Sequence, residues 1–294
     1  MPSSSTSSLR CGNTNPVKEV DLVIWTKNSS ATLPIVLKRL ENVIPQEFVK
    51  NKIIVDDHSS DNTVEIGKSL GWKVYINEGN GIPDAANTAL KHVTSPFFIS
   101  IEHDLLLAEQ WWRKIPYHMR DEQVAVAQGI RFSTHPTLAA LDEYFQIDCK
   151  RPYVTIDNNL YRTKVIREVG GFPKSCPVCV DLNLRDMVQK AGFKWIVDPT
   201  VISQHIRTGI RRQIKHKHEA YLRRKRDMHD KFSDVWKFLF IATFQSPIRG
   251  FYIACKKKRP EIFFVYPMFR FAMVKSCLER RAIRNLNFGG PAHT

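Results

Sequence analysis

Glu102-His103-Asp104 sets two carboxylates around a histidine, directly after the apolar run Pro96–Ile101. Carboxylates at i and i+2 on a tight turn can both reach one hard cation. Mg2+ and Mn2+ prefer oxygen ligands, and a diphosphate can supply the rest. Such a cation offsets charge that builds on a leaving phosphate. The plain alternative is a solvated surface turn. Asp56-Asp57-His58-Ser59-Ser60-Asp61 is a second acidic group, after the run Lys52–Val55. A carboxylate there can accept hydrogen bonds from a nucleobase imide or a ribose hydroxyl; a cluster capping a helix is the mundane reading. Asp181 opens an amphipathic segment, where it is either a general base facing a cleft or an ordinary cap. His205 ends the strand-like run Val201–Gln204 and can ligate a metal, pair with phosphate or simply pack. Cys176 and Cys179 have the spacing of a metal knuckle or redox pair, but no second such pair follows and zinc would need two more ligands.

These groups need elements to hold them. Strands are expected at Asp21–Thr26, Lys52–Val55, Trp72–Ile76 and Pro96–Ile101. Helices are expected at Leu33–Val43, from a cap at Asp61 or Asn62 through Leu70, and at Pro83–His92. This alternation argues for a mostly parallel sheet with helices on both faces. Ligands bind beyond the carboxyl ends of such strands, where the polar clusters fall. The rhythm is less regular after Glu122. Strands are expected at Val124–Gly129, Thr155–Leu160 and Phe193–Val197, and helices at Lys164–Val169 and Asp181–Lys190, with Gly192 as a stop.

Hydrophobic residues make up 43% of the chain and charged residues 25%, enough to bury a sizeable core in 294 residues. Lys and Arg number 44 against 29 Asp and Glu, a formal net charge of +15. Such a balance draws polyanions: nucleic acid, anionic lipid or phosphorylated substrates. The excess is concentrated after Arg207, in residues such as Arg211, Arg212, Lys215, Lys217 and Arg223. Six scattered cysteines are too few for a disulfide scaffold, which favours a reducing compartment. The polar N-terminal residues read as a disordered tail rather than a signal peptide. No run reaches the roughly 18 uninterrupted apolar residues of a spanning helix.

Taken in order, the motifs resemble glycosyltransferase family 2, over roughly residues 20 to 206. Val23-Ile24-Trp25-Thr26-Lys27-Asn28 is similar to the family's opening strand, and Val55-Asp56-Asp57-His58-Ser59-Ser60-Asp61 to its V-D-D-G-S-T-D segment. Asn80 to Leu90 resembles its glycine-to-helix segment. Glu102-His103-Asp104 sits at its D-x-D turn, Asn159 to Phe172 at the segment ending E-V-G-G-F, and Val180-Asp181 at its E-D motif. Six segments in correct order are specific, although each is weak alone. The resemblance implies a GT-A type nucleotide-sugar fold and assigns roles by position. Asp57 would bind the nucleobase, and Thr26, Asn28 and Asn87 would lie near the nucleotide. Asp104 would hold Mn2+ or Mg2+, Glu102 would serve the ribose or the metal, and His205 would lie at the metal and diphosphate. Asp181 would be the base of an inverting displacement. Three departures stand out: Glu102 opens the D-x-D turn, Ala86 replaces an Arg, and Val180 replaces a Glu. The processive relatives' Q-x-x-R-W is broken by Thr208, which implies single additions.

The expected organisation is a disordered tail (1–19), a GT-A domain (20–206), a basic, aromatic helical extension (207–284) and a loose end (285–294). The extension suits either an anionic membrane surface or packing on the core. No nucleic-acid motif accompanies its charge. The expected partners are a nucleotide-diphosphate sugar and a lipid-linked or glycan acceptor, in the cytoplasm or peripherally on the cytoplasmic membrane face. A catalytically inactive relative that binds nucleotide or scaffolds at a membrane is the competing reading.

Overall fold

Strand β1 (Val20–Thr26) alternates its side chains between two cores, and the rest of the sheet follows from that. Leu22 and Ile24 point into one cluster with Leu33, Val36, Leu37 and Leu40. Val23 and Trp25 point into the other with Ala85, Ala86 and Ala89. A strand buried on both faces needs helices on both sides. The computed structural model describes residues 16–175, 179–207, 209–223 and 232–288.

The first half alternates as expected. Helix α1 (Leu33–Val43) carries Pro34 in its first turn, where a missing N–H costs nothing. It is followed by β2 (Val49–Asp56), α2 (Thr63–Ser69), β3 (Lys73–Ile76), α3 (Gly81–His92) and β4 (Phe97–Glu102). The second half comprises β5 (Leu105–Leu106), α4 (Trp111–Lys114), β6 (Val124–Ser133), α5 (Pro136–Glu143), β7 (Asn159–Arg162), α6 (Thr163–Glu168), α7 (Val180–Lys190) and β8 (Lys194–His205). The eight strands form one sheet in the order β3-β2-β1-β4-β7-β6-β8-β5. Pairings of β1 with β2 and β4, β2 with β3, and β6 with β8 are parallel; β7 and β5 run against their neighbours.

Three sequence expectations shift. Strand β6 continues past Gly129 to Ser133, and the separate runs expected at Phe193–Val197 and Val201–Gln204 are one strand, β8. The register between them slips, so Gly129 pairs with Asp198 but Ile130 with Ile202. Pro199 falls in that slip, one of the few places a strand accepts it. A Cβ on Gly129 would stand 3.0 Å from the Val201 carbonyl oxygen, so the irregularity needs glycine. The strand expected at Thr155–Leu160 begins only at Asn159, because Asn158 turns left-handed (φ 64°). Its side chain instead bonds the Ile130 carbonyl and the Trp111 indole.

The extension consists of α8 (Ile210–Arg223), α9 (Phe232–Phe240), α10 (Ser246–Lys257) and α11 (Ile262–Phe288). Leu141 and Tyr144 seat it through Ile253, Ile262, Val265 and Tyr266. Residues 285–288 belong to α11 rather than to a loose end, and residues 289–294 lie outside the described residues. Of the expected N-terminal tail, residues 1–15 also lie outside them, while Val17 is fully buried in the core. Val235–Lys257 is one helical run with a mean hydropathy of 1.2, long and apolar enough by composition to cross a bilayer. Counting uninterrupted apolar residues missed it, because its polar residues are interspersed. Cys149, Cys179, Cys255 and Cys277 are free thiols; Cys176 of the expected pair lies outside the described residues.

Asp21 shows how the first strand is anchored. Fully buried, it accepts from the Thr94 and Ser95 amides, the Ser95 hydroxyl and the Asn51 amide. Asp21→Ala strands those donors, and the expected loss is about 3 kcal/mol, read as a lower urea midpoint at constant slope.

Candidate active site

The carboxyl ends of β1 and β2 form one end of the site. Asp56 faces inward: it accepts from the Thr26 hydroxyl at 3.0 Å and from the Ser59 amide at 2.7 Å. Asp57, the next residue, faces the opening. One of its oxygens accepts from Asn77 Nδ2 (2.7 Å) and the Gly81 amide (3.0 Å); the other accepts from Lys27 Nζ (3.0 Å). Burial pushes its pKa up, but these donors outweigh burial and hold it below the usual carboxylate range. Asn28 adopts a left-handed turn (φ 49°), and its side-chain oxygen accepts from the Ser60 amide and hydroxyl. Two expectations change here. Thr26 lies at the strand end, but its hydroxyl is committed to Asp56. Asn87 is committed elsewhere altogether: its Nδ2 donates to the Pro83 and Phe172 carbonyls, and its Oδ1 accepts from the Phe172 amide. It clamps α3 to the Gly171 turn, where a Cβ would stand 2.5 Å from that Oδ1.

The other end is built by β4, β5 and β8. Leu105 pairs with His205, and the Ile206 amide donates to the Asp104 carbonyl, so the acidic turn and the histidine are held face to face. His205 Nε2 lies 3.1 Å from an Asp104 oxygen and 4.0 Å from a Glu102 oxygen. One ligand atom from each of Glu102, Asp104 and His205 lies within 4.8 Å of the others. Donors about 2.1 Å from one octahedral ion sit roughly 3 Å apart when adjacent. The three ligand atoms are therefore close enough together to hold one divalent cation. Protonation states agree. Burial raises Asp104, but the His205 bond and the charges of His205, His103 and Arg131 hold it at about 2. Burial and Arg131 lower His205, which keeps a nitrogen lone pair available.

Sequence reasoning missed the centre of this cluster. Arg131, on the part of β6 beyond Gly129, bonds Glu102 at 3.2 Å and the buried carboxylate of Asp157. Burial pushes Asp157 up to about 6 against the pull of Arg131, and its Oδ1 has no hydrogen-bond partner. A strand ending in Arg with an Asp on the adjoining antiparallel segment was the available signal, and the early strand end at Gly129 hid it. Asp181 lies in the first turn of α7, capped not by itself but by the chain at Cys179. Burial raises its pKa, more than the Leu182 amide lowers it, and Arg131 and Asp157 lie within electrostatic reach.

An α/β sheet that gathers a nucleotide-type carboxylate at one strand end and a metal-type triad at another defines a nucleotide-sugar transferase of the GT-A kind. The chain belongs to glycosyl transferase family 2, which matches residues 21–170, just over half of its length. No curated protein matches it by sequence. It is similar to the mannosyltransferase PcManGT from Pyrobaculum calidifontis, solved with GDP-Man and Mn2+: TM-score 0.55, 15% identity, 92% of this chain and 88% of that one. Glucosyl-3-phosphoglycerate synthase from Mycobacterium tuberculosis, with Mn2+, UDP and phosphoglyceric acid, gives TM-score 0.51 at 15% identity over 67% and 73%. TarS from S. aureus gives 0.51 at 14% over 89% of this chain and 55% of that one. These likenesses share a fold.

The reassignment of Asn87 is testable. Asn87→Ala should cost roughly 2 kcal/mol of stability, seen in urea, while the dissociation constant for UDP or GDP stays unchanged. A weaker nucleotide with unchanged stability would return Asn87 to the binding site.

Proposed function

We propose that this chain transfers a single sugar, with inversion, from a nucleotide-diphosphate sugar to a lipid-linked or glycan acceptor, in a metal-dependent reaction at a membrane surface. The observation that carries this reading is the convergence of Glu102, Asp104 and His205, whose ligand atoms lie within 4.8 Å of one another, with Asp181 in electrostatic reach of Arg131 and Asp157. Asp57, kept ionised by its donors, accepts from the nucleobase, and Asn28 shapes the adjoining turn. Glu102 is shared between Arg131 and the metal or ribose. A cation held by Glu102, Asp104 and His205 would offset charge on the departing diphosphate. The mixed oxygen and imidazole donors favour Mn2+ over Mg2+.

Asp181 removes the proton from the acceptor hydroxyl as its oxygen bonds the anomeric carbon. The bond to the diphosphate breaks on the opposite side and the diphosphate leaves with the electron pair. A raised pKa makes Asp181 a better base than an exposed aspartate. The ionised form is the active one, so kcat/KM should fall with acidification through a pKa above the ordinary aspartate range. Asp181→Asn should lower kcat about 10²–10⁴-fold and abolish that acid limb, with nucleotide affinity retained. Full turnover in this variant would refute the role; an absence of turnover in the wild type with every nucleotide-sugar would favour the binding-only reading, which the altered D-x-D turn and Val180 also suit.

The membrane part rests on the extension. Trp236, Phe240, Phe244 and Ile248 recur every four residues, and each is more than half exposed. That spacing draws one stripe along a helix. Phe264, Met268, Phe271 and Leu278 expose a similar stripe on α11. Lys237 lies on α9, Lys256 on α10, and Lys258 caps the end of α10. An aromatic stripe with lysines beside it suits the interface of an anionic bilayer, here the cytoplasmic face. The protein should float with vesicles of phosphatidylcholine and phosphatidylglycerol at low salt, and Phe244→Glu with Ile248→Glu should keep it in the soluble fraction. Wild-type protein that stays at the bottom of the gradient would remove the membrane from this reading.

A further inference from the structure

Arg207, Lys217 and Arg270 converge from three elements where the catalytic half meets the extension. Arg207 follows β8, Lys217 lies on α8 and Arg270 on α11; His218 bonding Ser276 and Glu279 holds the two helices together. Arg207 bonds Gln213, one helical turn before Lys217, and His218, next to Lys217, bonds Ser276 on the helix that carries Arg270, so the three lie near one another; Arg207 and Arg270 both lower the pKa of Lys217. None of them makes a salt bridge among the described residues, whereas Lys256 and Lys257, also in the extension, are paired with Asp148. Lys217 makes no hydrogen bond among them either. Asp142 is its strongest acidic influence, and burial raises the pKa of Asp142, which weakens even that counter-charge. Lys217 is nonetheless solvent-exposed. It lines an accessible cleft rather than a sealed core.

Arg207 is only partly engaged. It donates to Gln213 Oε1 at 3.0 Å and to His205 Nδ1 at 3.2 Å, and its Nε has no hydrogen-bond partner. Arg270 spends its donors on the Tyr266 hydroxyl and the Met273 sulfur, neither of them charged. Tyr153, 43% exposed, lies within electrostatic reach of Asp142, Arg207 and Arg270 and offers a phenol.

The sheet order says which substrate this cleft serves. Asp57 follows β2, near one edge, and His205 ends β8, near the other. A donor stretched from Asp57 to the Glu102–Asp104–His205 triad ends its diphosphate at the triad. Arg207 directly follows β8, on the side of the sheet away from β2 and Asp57, and it bonds Gln213 on the helix that carries Lys217. We infer that this cleft is an anion subsite for the acceptor, and that the acceptor carries a phosphoryl group held by Arg207, Lys217 and Arg270. The inference rests on the transferase reading above. A forked guanidinium and a mobile ammonium are the usual phosphate ligands. Held there, the phosphoryl group anchors the acceptor while a separate hydroxyl meets Asp181.

Matched pairs of probes test it by calorimetry on the full chain loaded with Mn2+ and UDP or GDP. Glycerol 3-phosphate is compared with glycerol, and lysophosphatidic acid with monoacylglycerol in neutral detergent. The phosphate-bearing member should bind about tenfold tighter or more. Lys217→Met and Arg270→Gln should each erase most of that preference and leave nucleotide affinity and urea midpoint unchanged. A preference confined to lysophosphatidic acid would make the acceptor lipid-borne; one present in both pairs would leave the phosphoryl group as the recognised part. Equal affinity for phosphate-bearing and neutral partners would overturn the inference. So would variants that weaken the nucleotide diphosphate instead, since the cleft would then serve the donor. Wild-type protein that binds no nucleotide but keeps a Lys217-dependent phosphate preference in the absence of nucleotide would sink the transferase reading and leave the anion subsite standing.

Discussion

The Arg131 guanidinium holds the acidic centre of this protein together. It bonds Glu102 and the buried carboxylate of Asp157 at once, and its charge also reaches Asp104 and Asp181. Carboxylates withdrawn from water repel one another and lose solvation, a cost of several kcal/mol per ion unless a counter-charge is close. One arginine cannot neutralise all of them. The surplus surfaces as raised pKa values on Asp157 and Asp181, while Asp104 is pulled down by the His205 beside it. Neighbouring carboxylates in the cluster thus differ in acidity, with Asp104 lowered and Asp157 and Asp181 raised.

Arg131 lies on β6 just past the place where β6 and β8 slip against each other. Gly129 lets the Val201 carbonyl approach, Pro199 falls in the slip, and the strand beyond turns Arg131 toward Glu102. The same strand β8 then delivers His205 opposite Asp104 through its pairing with β5. A local defect in the ladder and a two-residue strand therefore set the geometry of the metal triad.

The excess positive charge divides between two surfaces with different physics. On α9, α10 and α11 it flanks stripes of exposed aromatic and aliphatic side chains, where lysines can stay hydrated while apolar groups leave water. Behind His205, Arg207, Lys217 and Arg270 lie near one another without a salt bridge among the described residues, and the acids that reach Arg207 are Asp142, Asp104 and Glu102. Gly250 permits the packing that joins the two surfaces: its Cβ position lies 3.3 Å from the Phe263 carbonyl oxygen, so α10 and α11 can touch backbone to backbone.

The one-dimensional pattern was enough for the first half of the fold. Leu33–Val43 is a helix at the residues where apolar spacing and Pro34 put it, and the strands ending at Thr26, Asp56 and Glu102 carry their polar residues at the carboxyl end. Periodicity and turn chemistry are local, and there each strand is followed by its own helix. Glu102, Asp104, Asp181 and His205 were legible as candidates because carboxylates and histidine at strand ends are conspicuous. Their grouping was not. Asp104 and His205 meet through the pairing of β5 with β8, a hundred residues apart in the chain, and no local signal encodes that register. Asn87 looked like a nucleotide ligand until its three backbone partners closed around it. Arg131 was hidden because the expected strand stopped at Gly129 while β6 runs on to Ser133, and Asp157 because it was read as part of a strand that begins only after the left-handed Asn158. Residue types and spacing thus determined the class of chemistry this chain can hold. Tertiary structure decided which charges face each other, because Coulomb energy depends on distance in space and not on separation along the sequence.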